Sequence, residues 1–305
     1  MRSILALVGP TAVGKTELSL RIAEAEGAEI VSCDSRQVFR PLTIGAAKPT
    51  HAELARVPHH FIDEKELTEP FSAGRFAEEA NARISSIQAS GGQVIVTGGS
   101  TLYLEALVHG LSPIPRTSGA ARTRLNARIA AGETAQLFAE LEAVDPEAAA
   151  TMDPTKSQRI ARALEVFEET GRTLSSYHAS KPPPPHAFTV VVLDRPREAL
   201  YSRIERRVEA MLAAGLLDEN RALLDAGYDD ALPALRTIGY QEPRAHLRGT
   251  LAYDEMVRLL KQNTRRYAKR QLTWFRRRAS YRWLDLSTCS TLDEAADRVA
   301  SLTGR

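Results

Sequence analysis

The chain has 305 residues, of which 43% are hydrophobic and 26% charged, and its formal net charge is +2. This length suits a globular protein with one main core and a smaller second domain. No apolar run reaches the ~20 residues of a membrane span, which excludes a membrane-spanning protein. The two cysteines, Cys33 and Cys289, are too few for a disulfide framework or a zinc site. Since the first apolar run leaves no room for a targeting peptide, we expect a cytoplasmic protein.

The first apolar run, residues 4–8, leads into a turn that fits the P-loop pattern of two glycines followed by Lys and Thr. The turn comprises Gly9, Pro10, Thr11, Ala12, Val13, Gly14, Lys15 and Thr16. Backbone N–H groups in such a turn bind phosphate oxygens, the Lys adds a positive charge and the Thr hydroxyl can bind Mg²⁺. The sequence therefore predicts a site for a diphosphate or triphosphate. Its chemistry stays open, because kinases, NTPases and other transferases share the motif.

Two further segments should reach the same crevice. A short strand over residues 29–33 ends in Asp34, and another over residues 93–97 runs into Gly98, Gly99 and Ser100. The C-terminal ends of parallel strands share one edge, so Asp34 should face the P-loop as a base or metal ligand, or serve equally well as a cap of a turn. A second glycine turn suggests a phosphorylated substrate held from both sides, although these glycines could serve only close helix packing.

The character of the sequence changes at about residue 113. Helical patterns follow until a run of four prolines after Lys181, which can form only an extended linker. A buried-type strand then returns over residues 188–195. We expect an α/β fold with a P-loop NTPase-like parallel sheet and a helical C-terminal part, over residues 1–112 and 186–305. Residues 113–185 should form an all-helical insertion domain.

The segment from Arg258 to Arg282 carries ten Lys and Arg side chains and no acid. Aromatic residues, among them Tyr267 and Trp274, lie between them. A solvated helix face normally mixes both signs of charge. We therefore expect one long basic helix that offers phosphate contacts and stacking surfaces to a nucleic acid.

Taken together and in this order, the motifs from about residue 4 to residue 285 resemble those of the tRNA dimethylallyltransferases (isopentenyltransferases). These enzymes prenylate N6 of the adenosine next to the anticodon on its 3′ side. The matching motifs are the P-loop, Asp34-Ser35-Arg36-Gln37, Ile44-Gly45-Ala46-Ala47-Lys48-Pro49, Pro58-His59-His60, Gly98-Gly99-Ser100-Thr101-Leu102-Tyr103, Gln158-Arg159-Ile160-Ala161-Arg162-Ala163-Leu164-Glu165, Arg236-Thr237-Ile238-Gly239-Tyr240 and Lys269-Arg270-Gln271-Leu272-Thr273-Trp274.

The resemblance implies that the P-loop holds the diphosphate of dimethylallyl diphosphate with Mg²⁺, bound in part by Thr16. It implies that Asp34 takes the proton of the adenine amine, while Lys15 and Arg207 stabilise the leaving diphosphate. Ser100 is the fourth catalytic residue and stands where the family usually has Thr. Serine keeps the hydroxyl but lacks the methyl group that limits its rotamers, so we expect looser positioning.

The resemblance also implies that the partner is the tRNA anticodon stem-loop, from which the target adenosine is extruded. The expected tRNA-binding residues are Asp34, Ser35, Arg36, Gln37, Ser100, Arg122, Gln158, Arg159, Ile160, Ala161, Arg162, Arg236, Thr237, Ile238, Gly239, Tyr240, Gln241, Lys269, Arg270, Gln271, Trp274 and Arg276. We expect a monomer with no membrane partner. Three other functions stay open at this point: a small-molecule P-loop kinase, a nucleic-acid-binding module that senses a nucleotide, and a prenyltransferase acting on free adenine nucleotides.

Overall fold

The computed structural model describes residues 3–115 and 117–304. The chain divides into two compact units, one of residues 1–109 together with 185–305 and one of residues 110–184. The boundaries expected from sequence were residues 113 and 185. The smaller unit is thus an insertion between two parts of the larger one.

A parallel sheet forms the centre of the larger unit. Its strands are β1 Ile4–Val8, β2 Ala28–Cys33, β3 His59–His60, β4 Gln93–Gly98, β5 Phe188–Asp194 and β6 Arg282–Asp285. Among the described residues their spatial order is β3-β2-β4-β1-β5-β6, and every pair is parallel. The predicted α/β class with a parallel sheet is confirmed.

Helices account for most of the remaining structure. In chain order they are α1 Lys15–Glu26, α2 His51–Leu54, α3 Ala73–Ala89, α4 Thr101–His109, α5 Ala120–Ala130, α6 Thr134–Val144, α7 Pro146–Thr151, α8 Ser157–Thr170, α9 Leu174–Ala179, α10 Arg197–Ala213, α11 Leu216–Asp225, α12 Gln241–Leu247, α13 Tyr253–Phe275 and α14 Leu292–Thr303. The smaller unit contains α5 to α9, and its described residues include no strand.

The sheet has a core on each face because side chains along a strand alternate in direction. In β1, Ile4, Ala6 and Val8 pack with α3 and α4, whereas Leu5 and Leu7 pack with α1 and α14. With both faces covered, β1 is apolar at every position, as is typical of a central parallel strand. The helices that cover the two faces therefore leave the C-terminal ends of the strands, where the glycine turns begin, accessible.

The structure corrects the prediction of one long basic helix. Helix α13 ends at Phe275, a turn follows, and Arg282 begins the edge strand β6. This strand has only four residues, with an exposed Arg282 and a buried Leu284. So short an alternation carries no usable periodicity, which is why the sequence did not reveal the strand.

Candidate functional site

The C-terminal ends of β1, β2 and β4 border a cavity of about 760 Å³. All of its lining residues belong to the larger unit. The predicted site residues that line it are Thr11, Ala12, Gly14, Lys15, Thr16, Asp34, Ser35, Arg36, Gln37, Ser100, Arg207, Thr237, Ile238, Gly239 and Gln271. The four side chains predicted to be catalytic therefore share one cavity, although Lys15 and Arg207 come from two helices, α1 and α10, and Asp34 and Ser100 from the turns after β2 and β4.

The P-loop is held in a shape that glycine favours. Gly9 has φ 155°, and a Cβ there would lie 2.6 Å from the carbonyl oxygen of Leu193. Lys15 folds back over the loop, where its Nζ donates to the carbonyls of Gly9 (3.0 Å) and Pro10 (2.8 Å). Burial and the nearby Arg207 lower the pKa of Lys15 to about 7, against the opposing effect of Asp34. A bound anion would restore the full charge of this lysine.

Two arginines that sequence reasoning missed bind backbone carbonyls of the same loop. Arg195 Nε donates to the carbonyl of Val13 and Arg203 Nε to that of Ala12, each at 2.8 Å. These bonds pair two loop carbonyls with cations, and Arg203 also lines the cavity. Burial, followed by the charge of Arg195, lowers the pKa of Arg203. Nothing in the sequence separates Arg195, which precedes α10, or Arg203, on α10, from the other arginines nearby, because the contact depends on the tertiary fold.

Arg207 faces the cavity without a partner. Among the described residues its guanidinium makes no hydrogen bond or ion pair, and burial lowers its pKa while Asp34 opposes the shift. Leaving a partly buried guanidinium unpaired is costly unless a ligand supplies the counter-charge. The side chain is thus available to bind an anion, and its role toward a diphosphate, which the family resemblance implies, stays a prediction.

Asp34 caps a turn, which is one of the two roles that the sequence left open. Its Oδ1 accepts hydrogen bonds from the backbone N–H groups of Arg36 (2.8 Å) and Gln37 (3.4 Å), which caps the turn after β2. Within the described part of the chain, its Oδ2 accepts none. Capping fixes the carboxylate in the cavity, and the second oxygen remains available to take a proton from a substrate.

Ser100 joins the second glycine turn to the turn that follows β2. Its Oγ accepts a hydrogen bond from the Ser35 backbone N–H at 2.9 Å and donates one to the Ser35 hydroxyl at 3.2 Å. Gly98 makes this approach possible, since a Cβ there would lie 2.2 Å from the carbonyl oxygen of Cys33. The hydroxyl is therefore positioned by hydrogen bonds rather than by a branched side chain.

The sequence prediction of tRNA contacts mixes surface and core positions. Arg236, Gln241, Lys269, Arg270 and Arg276 are exposed. Tyr240, by contrast, is fully buried and donates to the Glu219 carboxylate at 2.8 Å. That carboxylate also accepts from the backbone N–H groups of residues 43–45, so Tyr240 holds this loop. The contact predicted for the Tyr240 side chain is corrected, since it has no exposed surface.

Other members of the predicted set also turn inward. Gln271 is 2% exposed and lies between the two glycine turns. Trp274 is partly buried against the core and stacks edge-on with Phe275 at 5.4 Å. In the smaller unit, Ile160 and Ala161 belong to its apolar core. The side chains of Ile160 and Ala161 are thus too deeply buried to contact a polynucleotide, whereas contacts of Gln271 and Trp274 with tRNA stay a prediction.

The basic side chains of the Arg258–Arg282 segment differ in their pairing. Five of them pair with acids that are distant in sequence or lie just before the segment, which corrects the impression of an uncompensated run. The pairs are Arg258–Glu255, Lys261–Glu209, Arg265–Glu205, Arg276–Asp194 and Arg278–Glu105. Arg266, Lys269, Arg270 and Arg277 are exposed and, among the described residues, have no ion pair. Positions 266, 269 and 270 lie on one side of α13, and position 277 follows the end of this helix. We name these four residues the basic face.

In the smaller unit, Glu165 contacts two of the three arginines predicted to bind tRNA. Its buried carboxylate accepts from Arg122 and Arg162, each at 3.1 Å, and from the Thr117 hydroxyl at 2.6 Å. Burial opposes the shift, yet these partners lower the pKa of Glu165. Gln158 and Arg159 remain on the surface of α8. Contact of this unit with tRNA stays a prediction.

The adjacent histidines His59 and His60 make local hydrogen bonds. His59 Nδ1 lies 2.8 Å from the carbonyl of Val57, and His60 contacts Glu29 and Arg83, each at 2.6 Å.

Among the helices of residues 3–115 and 117–304, none combines the length and the apolar character that a membrane span needs.

Comparison with known proteins gives one consistent result. The family model described as IPP transferase matches residues 37–278. A tRNA dimethylallyltransferase of Salinibacter ruber is 55% identical over 92% of this chain and 87% of its own length. One of Chlorobaculum parvum is 47% identical over 96% of this chain and 95% of its own.

Solved structures agree with this comparison. A tRNA isopentenylpyrophosphate transferase from Bacillus halodurans has a TM-score of 0.73 at 36% identity, covering 100% of this chain and 97% of that one. A eukaryotic dimethylallyltransferase acting on tRNA has a TM-score of 0.84 and covers 100% of this chain and 79% of its own. At 24% identity, this second likeness shows the fold alone.

Proposed function

This chain belongs to the IPP transferase family, and we propose that it transfers the dimethylallyl group of dimethylallyl diphosphate to N6 of the tRNA adenosine on the 3′ side of the anticodon. The observation that carries the proposal is one cavity that contains a P-loop, a free guanidinium at Arg207, and the Asp34 and Ser100 side chains. In this reaction the N6 lone pair forms a bond to C1 of the prenyl group. The C1–O bond breaks, its electron pair leaves with the diphosphate, and one N6 proton goes to Asp34.

The leaving-group side of the cavity is built from cations and backbone donors. The P-loop and the start of α1 supply N–H groups, and Lys15 and Arg207 supply positive charge. Negative charge accumulates on the diphosphate as the C1–O bond breaks. Donors that are already in place stabilise this charge more strongly than water does, because they need not reorganise.

Asp34 and Ser100 form the acceptor side. The adenine amine is a weak nucleophile because its lone pair is delocalised into the ring. A carboxylate that removes its proton during attack contributes about 10²–10⁴-fold to the rate. The Ser100 hydroxyl, held at 2.9 Å from the Ser35 N–H, adds a polar contact between the two reacting groups.

The oxygen donors in this cavity suit Mg²⁺. Thr16 and Asp34 both line the cavity, and Mg²⁺ prefers oxygen ligands, commonly one or two protein groups together with substrate phosphates. We assign the Thr16 hydroxyl as the protein ligand next to the diphosphate oxygens. When bound, the ion would neutralise part of the charge on the leaving diphosphate.

The basic face of α13 is the proposed contact for the anticodon stem-loop. Arg266, Lys269 and Arg270 are exposed on the helix whose buried side lines the cavity. Phosphate contacts of this kind fix the position of the RNA and carry no sequence information. We also propose that the protein acts as a monomer in the cytoplasm; sedimentation in solution tests the monomeric state.

The deciding experiment is mass spectrometry of nucleosides from unmodified tRNA incubated with the protein, dimethylallyl diphosphate and Mg²⁺. We expect N6-isopentenyladenosine, and none when the target adenosine is replaced by guanosine. Absence of the product from intact tRNA would overturn the proposal. Prenylation of AMP in place of tRNA would instead indicate an enzyme of free nucleotides, and ATP turnover without a prenyl donor would indicate a kinase or NTPase.

A further inference from the structure

Gln271 occupies an unusual place between the two glycine turns. Its side chain comes from α13, is 2% exposed and lines the cavity. Its Oε1 accepts a hydrogen bond from the Thr11 backbone N–H at 2.9 Å, and its Nε2 donates one to the carbonyl of Gly99 at 2.7 Å. A single amide group therefore links the backbone of the P-loop to the backbone of the second turn.

The surroundings fit a primary amide and exclude most other groups. One end of the side chain must accept and the other must donate, because it meets an N–H on one side and a carbonyl on the other. A Cβ at Gly99 would lie 2.5 Å from Gln271 Nε2 and 3.3 Å from the carbonyl oxygen of Gly9. The glycine at this position thus allows the amide to reach the backbone.

In the proposed reaction, one end of this link lies next to the leaving diphosphate and the other next to the acceptor amine. Thr11 lies in the loop proposed to bind the leaving diphosphate. Gly99 precedes Ser100, whose hydroxyl accepts from the Ser35 N–H at 2.9 Å, beside Asp34. The separation of leaving group and acceptor in a bound complex therefore depends on the distance between the two turns, which Gln271 spans.

We propose that Gln271 is a positioning residue for prenyl transfer: it sets the distance between the P-loop and the Gly99–Ser100 turn, and with it the alignment of the acceptor amine with C1. This inference rests on the proposed function. Gln271 touches neither reacting atom in this assignment and acts through the two backbones. Misplacement of reacting groups by about 1 Å can cost about 10²-fold in rate.

The first test replaces the amide by a thioether of similar length, Gln271→Met. We expect kcat for tRNA prenylation to fall about 10- to 100-fold. The KM values for tRNA and for dimethylallyl diphosphate should change less than about threefold, since the side chain binds neither substrate. The matched control is Gln88→Met on α3, whose side chain does not line the cavity and which should keep the wild-type kcat. A Gln271→Met kcat within twofold of wild type would overturn the inference.

A second measurement separates misalignment from general loss of structure. When the acceptor is misaligned, water can attack C1: its oxygen forms the new C–O bond, the bond to diphosphate breaks and a proton passes to solvent. We expect Gln271→Met to release several times more dimethylallyl alcohol per prenyl group transferred. An unchanged ratio together with a lower melting temperature would assign Gln271 a purely structural role and overturn the inference.

Gln271→Glu supplies a variant that preserves the shape. One carboxylate oxygen can still accept from the Thr11 N–H, but the other faces the carbonyl of Gly99, where a donor is needed. We expect this variant to show the same loss of kcat and the same rise in hydrolysis, and a wild-type kcat would overturn the inference. If the wild-type protein itself forms no N6-isopentenyladenosine, the proposed function fails; if it does and both variants match it, only the role of Gln271 fails.

Discussion

The two glycine turns of the cavity look alike in sequence but are held in different ways. Cations hold the P-loop, since Arg195 and Arg203 bind its carbonyls and Lys15 folds over it. The turn at Gly98 is held by close backbone packing against Cys33 and by the Ser100 hydroxyl. In the proposed reaction, the first turn would place positive charge next to the leaving diphosphate, and the second would place the Ser100 hydroxyl and the Asp34 carboxylate next to the amine. The comparison shows that charged side chains fix the conformation of one glycine turn, whereas close backbone packing fixes that of the other.

The strongest way to separate the two sides is Asp34→Asn. Asparagine keeps the oxygen that accepts from the Arg36 N–H, so the turn should remain intact while the base is lost. We expect kcat for prenyl transfer to fall about 10²–10⁴-fold. Affinity for inorganic diphosphate, measured by calorimetry, should be unchanged or tighter because a negative charge is removed. A kcat within a few-fold of wild type would refute the assignment of Asp34 as the base.

Lys15→Met tests the part of the cavity that is proposed to bind the leaving diphosphate. A hydrogen bond to a charged group contributes about 1.5–3 kcal/mol, so diphosphate should bind about 10- to 150-fold more weakly. Binding of the anticodon stem-loop alone should be unaffected. Calorimetry with each ligand checks both statements, and equal losses for the two ligands would contradict the division into two sides.

The pH dependence of the same lysine gives a second observable. Its pKa is about 7 in the free protein, against 10.5 for an exposed lysine, and a bound diphosphate should raise it again. Above about pH 7, diphosphate binding should therefore take up close to one proton more than in Lys15→Met, and affinity should fall as pH rises. Because the unfolded state binds this proton more tightly, the free energy of unfolding should rise between about pH 7 and pH 10. Calorimetry in buffers of different ionisation enthalpy measures the uptake, and equal uptake by both proteins would contradict it.

Gly98→Ala should disturb the second turn through a steric clash, without any change of charge. The new Cβ would lie 2.2 Å from the carbonyl oxygen of Cys33, so β2 and β4 must move apart locally. We expect a loss of about 1–3 kcal/mol in the free energy of unfolding, measured by denaturant titration. An unchanged transition midpoint would show that the turn tolerates a side chain and that packing does not fix it.

Arg270→Ala has the smallest expected effect. We expect a few-fold loss of tRNA affinity and a decrease of about one in the slope of its salt dependence. Diphosphate affinity should not change. The control is Arg258→Ala on the same helix, because Arg258 already pairs with Glu255 at 2.6 Å. A larger effect for Arg258 than for Arg270 would contradict the division of the basic segment into paired and free residues.

Local sequence was sufficient for the strands and turns at the centre of the site. A buried parallel strand must be apolar throughout, and a P-loop needs glycine where φ is positive. The sequence was therefore enough to predict strand β1 and the position of Gly14 in the turn. Strand β6 was missed because four residues carry no periodicity. Buried positions such as Tyr240 and Ile160 were placed among surface contacts, because a motif shows which residues recur together but not which way each side chain points.

The sequence by itself determined that this chain has a P-loop on a parallel sheet, an inserted helical segment and the motifs of a tRNA-prenylating family. Those features depend on spacing, apolar runs and glycine, all of which act over a few residues. Only the tertiary structure decided which arginines bind the P-loop, which basic residues of α13 are already paired, and that Gln271 joins the two turns. These facts depend on atoms up to 260 residues apart in the chain, whose approach is set by packing of the whole fold and leaves no local pattern.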